Sequence, residues 1–117
     1  MKLQFRSMLT AAFATVAAAT MAQAQEIPVA ALSALTGPTA FIGVPVHNGI
    51  KLAVEQANQN GYLGSAKIKL LETDYAADKA QAISLANQFI KRDKVVMVLG
   101  PTGTGDSLAV APVLNEG

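Results

Sequence analysis

The stretch Gly100-Pro101-Thr102-Gly103-Thr104-Gly105-Asp106-Ser107 holds the densest set of groups able to do chemistry in this 117-residue chain. Glycines interleaved with threonines bring backbone N–H groups and hydroxyls together, and glycine lets the backbone run close to whatever it holds. The chemistry on offer is the binding of a small anion. Two phosphate motifs come near in spacing, and both fail. Gly100 and Gly105 are spaced as in a Walker loop, but Asp106 stands where the phosphate-reaching lysine belongs. An anion at that place repels a nucleotide. Gly103-Thr104-Gly105 begins a dinucleotide fingerprint, but Leu108 occupies the place of its third glycine. The loop suits one weak anion, such as a carboxylate. An ordinary strand-to-helix connection is the alternative that spacing leaves open.

Other reactive side chains are few. His47 is the only histidine, and with no cysteine in the chain it has no companion for a metal site. Set in a polar first helical turn, it is expected to face water. Asp74 falls at the end of a predicted strand, where it either serves a ligand or caps the following loop. No nucleophile–base pair stands out, which argues against an enzyme, and no cofactor is implied. Phe41 and Ile42 follow a turn and are either a hydrophobic staple on the next helix or an apolar wall of a ligand pocket.

The elements that must position these residues alternate along the chain. Ile27 to Leu35 is nearly continuously apolar and predicts a buried strand, ended by Thr36-Gly37-Pro38-Thr39. Val44 to Asn58 predicts a helix with Pro45 in its first turn and Val46, Ile50, Ala53, Val54 and Ala57 along its buried stripe. Lys67 to Thr73 is a second strand. Asp78 to Arg92 is a second helix, opened by the capping box Asp78-x-x-Gln81, with Lys91, Arg92 and Lys94 crowding its cation-favouring end. Val95 to Leu99 has no alternation, so it predicts a third strand buried on both faces. A third helix then starts from a cap at Asp106 or Ser107. The pattern β-α-β-α-β-α, joined by right-handed crossovers, is an α/β parallel sheet with helices on both faces. A ligand is then expected at the carboxyl ends of the first and third strands.

Residues 1–24 have the marks of a secretory signal peptide. Lys2 and Arg6 precede an alanine-rich apolar run from Met8 to Ala22, and Ala22-Gln23-Ala24 gives a small-x-small site for cleavage after Ala24. The run is shorter than the roughly 20 residues that a membrane span needs. Removing 24 of the 117 residues leaves a mature chain of 93 residues. Losing Lys2 and Arg6 takes 9 basic residues to 7 against 8 acidic, a net of −1. With no basic patch, no Trp and 5% aromatic residues, nucleic-acid binding has no support. With no Cys there is no disulfide and no lipid anchor at the cleavage site, so the expected location is the periplasm, without a stable membrane anchor.

An export signal followed by Ile27-Pro28-Val29-Ala30-Ala31-Leu32-Ser33-Ala34-Leu35-Thr36-Gly37-Pro38-Thr39-Ala40-Phe41-Ile42-Gly43 resembles the branched-chain amino-acid type of periplasmic binding protein. Glu55-Gln56-Ala57-Asn58 before Asn60-Gly61, then Asp74, Asp78-x-x-Gln81-Ala82 and Val98-Leu99-Gly100-Pro101, extend the likeness over the whole mature chain. The resemblance implies a type I periplasmic-binding-protein fold, in which two α/β lobes close on a solute and deliver it to the permease of an ABC importer. On that reading residues 25–117 are an incomplete N-terminal lobe. The resemblance places the solute's α-carboxylate on Thr102, Gly103 and Thr104, with Phe41 and Ile42 flanking it. Its implied ligand is an amino acid or a related small carboxylate or amide. The competing function on the same fold is the ligand-sensing domain of a receptor.

Overall fold

The computed structural model describes residues 24–117. The expected signal peptide, Ala24 apart, lies outside the described residues. Three strands, β1 (Glu26–Ser33), β2 (Lys67–Asp74) and β3 (Met97–Leu99), form one parallel sheet in the order β2-β1-β3. Helix α1 (Ala40–Asn60) joins β1 to β2, and α2 (Lys79–Gln88), continued by a π-helical turn over Phe89–Asp93, joins β2 to β3. Helix α3 (Thr104–Asn115) follows β3. This is an α/β arrangement, a parallel sheet with α2 and α3 on one face and α1 on the other.

β1 is central because it is the strand that can be buried on both sides. Ala30, Leu32 and Ala34 meet Tyr75, Ala82, Ala86, Phe89 and Val110 in the main core, on the side of α2 and α3. Val29, Ala31 and Ser33 alternate to the opposite face, where α1 packs. The β1–β2 register runs from Glu26 opposite Lys67 to Ser33 opposite Asp74, so the two strands end level. β3 pairs only Val29 to Ala31, opposite Met97 to Leu99.

β3 is shorter and more open than its composition predicts. Val96 and Met97 are 68% and 56% exposed, because β3 is an edge strand among the described residues. An uninterrupted apolar run reports the burial a strand is suited to, which depends on neighbours on both sides.

α1 begins four residues earlier than expected, so Phe41, Ile42 and Gly43 belong to its first turns. Pro45 sits inside the helix, where its missing N–H removes one bond near the start of a 21-residue element. The buried stripe is also rotated: Gly43 and His47 are buried, whereas Val46 and Ala53 are exposed. Gly43 explains the rotation. A side chain there would overlap the Ala34 carbonyl oxygen, so only glycine lets α1 lie this close to β1. At the far end of α1 the Asn58 amide donates to the Ile68 carbonyl at 2.9 Å and accepts from the Ile68 N–H at 2.7 Å.

The remaining helix starts differ in detail. The Asp78 side chain accepts from the Gln81 N–H at 2.8 Å, which is half of the expected capping box. Gln81 does not reach back; its amide donates to the Asp74 carbonyl at 3.1 Å. α3 is capped at Gly103, not at Asp106 or Ser107. Asp106 lies in the first turn, and the Ser107 hydroxyl donates to the Pro101 carbonyl at 2.9 Å, closing the loop on itself.

Candidate functional site

The carboxyl ends of the three strands share one edge of the sheet, and the loops leaving them are held by side chains rather than by chance packing. Gly100 ends β3 with φ +111°, and a side chain there would overlap the Leu32 carbonyl oxygen. Glycine therefore lets the Gly100–Thr104 loop pass directly over the end of β1.

Asp74 is the clamp of the first loop. Its Oδ1 accepts the N–H of Leu35 at 2.8 Å, of Ala76 at 2.8 Å and of Thr36 at 3.3 Å, while Oδ2 accepts the Thr36 hydroxyl at 2.6 Å. Burial alone pushes this carboxyl up, but the Thr36 hydroxyl and the three N–H groups outweigh it and hold the pKa below its ordinary value. Of the two roles read from sequence, the geometry supports the loop cap. The clamp also bears on a strained turn, since Ala76 and Ala77 have φ +51° and +57°.

Tyr75, next along, is fully buried, and its hydroxyl donates to Asp106 Oδ2 at 3.0 Å. Burial raises the Tyr75 pKa, and the Asp106 carboxylate adds to the rise. The same hydroxyl neighbours the Thr102 side chain and the Gly103 N–H, which act the other way. Tyr75 thus ties the end of β2 to the start of α3 beneath the Gly/Thr loop. Sequence reasoning missed it, because a tyrosine after Asp74 is compatible equally with a surface loop.

His47 reverses the expectation of a solvated side chain. It is 4% exposed, with Nδ1 2.9 Å from Ser33 Oγ and Nε2 2.6 Å from Glu72 Oε2. Lys51 Nζ stands 3.3 Å from the same Glu72 oxygen. The His47 contact, aided by Lys51 against a smaller effect of burial, holds the Glu72 pKa below its ordinary value. Ser, His and Glu are the residue types of a hydrolytic triad, but Ser33 is 1% exposed beneath α1 and cannot meet a substrate. The three form a strut between α1 and the sheet, one helical turn after Gly43. Replacing His47 by Ala is expected to cost roughly 2–3 kcal/mol, since it empties an enclosed position and leaves Ser33 Oγ without a partner. Urea denaturation of the whole protein checks this: a loss below about 0.5 kcal/mol would mean that the strut carries no stability.

The expected ligand residues divide into two groups. Thr102 and Gly103 are half-buried, and Thr104 and Gly105 are exposed, all at the first turn of α3 or just before it. Phe41 is 76% exposed and Ile42 is also open to solvent. A staple would bury them, so that alternative falls. The edge therefore presents a Gly/Thr loop with the exposed Thr104 at one helix start and two bare apolar side chains at another, over adjacent strands.

A parallel sheet in this order carries an open polar loop at its carboxyl edge, the place where open α/β sheets hold small ligands. The comparisons make the family plain. The periplasmic binding protein family matches residues 26–117, and the chain belongs to that family. It is 37% identical over 82 residues to Leu/Ile/Val-binding protein homolog 2 of Brucella abortus, covering 70% of this chain and 22% of that protein. Among solved structures it is similar to a possible leucine/isoleucine/valine-binding protein from Rhodopirellula baltica, with a TM-score of 0.77 and 26% identity over 84% of this chain and 27% of that one. It is likewise similar to a solute binding protein of an ABC transporter from Rhodopseudomonas palustris in complex with 3,4-dihydroxybenzoic acid, with a TM-score of 0.69 and 28% identity, covering 78% of this chain and 24% of that one. The chain thus spans about a quarter of the length of these relatives. The family is one of binding proteins, not enzymes.

Proposed function

We propose that residues 25–117 form the first part of a two-lobed periplasmic solute-binding protein that feeds an ABC importer, exported by a signal peptide cleaved after Ala24. Its solute is a small carboxylate, with a branched-chain amino acid first in line. The single observation that carries this reading is the polar Gly/Thr loop at the start of α3, held over β1 by Gly100. It sits in a chain whose relatives include a Leu/Ile/Val-binding protein homolog and a solute binding protein solved with an aromatic acid. Amino acids and 3,4-dihydroxybenzoic acid have the carboxylate in common. Thr102, Gly103 and Thr104 are the groups that would receive it, and Phe41 and Ile42 are the apolar pair beside it. Hydroxyls and N–H groups suit this work because they bind an anion without adding a counter-charge that would hold the solute too tightly for release to permease subunits. Among the described residues no helix is long and apolar enough to cross a membrane.

A bond to a charged acceptor is worth about 1.5–3 kcal/mol. Thr104→Val in the whole protein is therefore expected to weaken carboxylate binding about tenfold or more, with Thr102→Val smaller or additive. Calorimetric titration with L-leucine, L-isoleucine, L-valine and 3,4-dihydroxybenzoate measures it. Unchanged affinity in both single variants and in the double would remove the hydroxyls from the site.

A further inference from the structure

Asp106 poses an electrostatic problem. It is the acidic residue of the first turn of α3, where a carboxylate ordinarily seeks the free N–H groups of the helix start. Left to do so, it would occupy the groups that the proposed solute needs and repel the solute's own charge. The structure shows it doing something else. Asp106 Oδ2 takes its side-chain hydrogen bond from the Tyr75 hydroxyl at 3.0 Å. The same oxygen lies 2.6 Å from where a side chain on Gly103 would begin, so glycine there lets the carboxylate keep this position. Tyr75 is fully buried, so the carboxylate it holds is directed toward the core side of the loop. Thr104 and Gly105, the two residues before Asp106, are exposed.

We infer that Tyr75 is a positioning residue for the solute loop: its hydroxyl holds the Asp106 carboxylate away from the face that receives the solute's carboxylate. This rests on the carboxylate-binding reading above and adds the device that keeps that face open. Tyr75 does not touch the solute. It acts through Asp106, with Gly103 supplying the space. Two carboxylates side by side at a protein surface repel, so the arrangement of Asp106 bears directly on affinity for an anionic solute.

The test uses the whole two-lobed protein in four forms: wild type, Tyr75→Phe, Asp106→Asn and the double variant. Tyr75→Phe removes one oxygen and keeps the ring that fills the core. Each form is titrated calorimetrically with L-leucine, L-isoleucine, L-valine and 3,4-dihydroxybenzoate, and its thermal midpoint is recorded separately. Tyr75→Phe is expected to weaken the best of these probes about tenfold, because the freed carboxylate turns toward the loop N–H groups. The double variant is expected to recover most of that loss, since the amide that replaces the Asp106 carboxylate carries no charge. Asp106→Asn alone is expected to stay within about threefold of wild type. Rescue separates positioning from stability, because a purely structural role for Tyr75 predicts a lower midpoint that Asp106→Asn does not repair and an affinity that does not track charge. Unchanged affinity in Tyr75→Phe, or a loss that persists in the double variant, would overturn the inference while leaving the carboxylate site intact. A wild-type protein that binds none of the four probes would overturn the carboxylate site, and this inference with it.

Discussion

Residues 25–117 produced alone are expected to bind carboxylate solutes at least about a thousandfold more weakly than the whole two-lobed protein, and to unfold over a broad range. The chain spans about a quarter of its relatives' length, and on the proposed two-lobed reading the lobe that closes over the solute lies outside residues 25–117. A loop open to water on its outer side offers hydroxyls that water already satisfies, and no opposing wall desolvates the ligand. Losing one face of a cleft and several hydrogen bonds amounts to about 4 kcal/mol or more, which is the thousandfold. The fold of the segment is also exposed. Val96 and Met97 lie bare on an uncharged, apolar edge, and such an edge pairs readily with another chain. Phe41, Ile42, Leu52 and Leu108 add further apolar surface. Thermal melting and light scattering of purified residues 25–117 test this. A sharp transition in a monomeric sample, raised by millimolar L-leucine, would show that this part of the lobe folds and binds by itself.

The second large effect is expected at Asp74. Replacing it by Ala removes the acceptor of four hydrogen bonds from Leu35, Thr36 and Ala76 and releases the loops that follow β1 and β2. Bonds to a charged acceptor are worth about 1.5–3 kcal/mol each but are not additive on one carboxylate that is partly open to water, so the expected loss is about 3–4 kcal/mol. That is a large part of the stability of a small domain. Asp74→Asn keeps an oxygen for the three N–H groups and an amide for the Thr36 hydroxyl, and should cost about 1 kcal/mol. The two variants also separate by pH. The Asp74 and Glu72 pKa values are both depressed in the folded protein, from ordinary values of 3.8 and 4.5. Their contribution is therefore fully present above those values and is lost as pH falls through the lower folded ones. Wild-type stability should decline below about pH 4.5, and Asp74→Asn should flatten part of that decline. Urea midpoints measured from pH 7 to pH 3 check both expectations. An Asp74→Asn curve parallel to wild type over the acid range would mean that Asp74 does not drive it.

The positions that govern these expectations were legible in the sequence to different degrees. The order of strands and helices and the parallel sheet could be read directly, and so could the carboxyl edge that is proposed to hold the ligand. Apolar periodicity, Gly/Pro turns and the Asp78 cap are local signals that mark the element types, although the close approach at Gly43 rotates the buried stripe of α1. The Gly/Thr loop was visible for the same reason, since its character lies in consecutive residues. Asp74 was visible as a position, and the structure chose between its two roles. The start of α1 was misplaced because Pro45 is a strong first-turn signal, although a long helix tolerates it further in. The cap of α3 was misplaced because Asp106 and Ser107 are good capping types that the fold employs otherwise, one on Tyr75 and one on Pro101.

His47 and Tyr75 mark where local reading ends. A lone histidine on a helix is polar by composition. It becomes buried only because Gly43 lets α1 approach β1, and because Ser33 and Glu72, 14 and 25 residues distant in the chain, wait across the interface. Tyr75 becomes a tether only because the end of β2 and the start of α3 lie side by side, with the two bonded residues 31 apart in the chain. Periodicity reports which face of an element is apolar; it carries no information about which polar group lies opposite. Those pairings depend on the distance and orientation of packed elements, and for this protein the tertiary structure alone decided them.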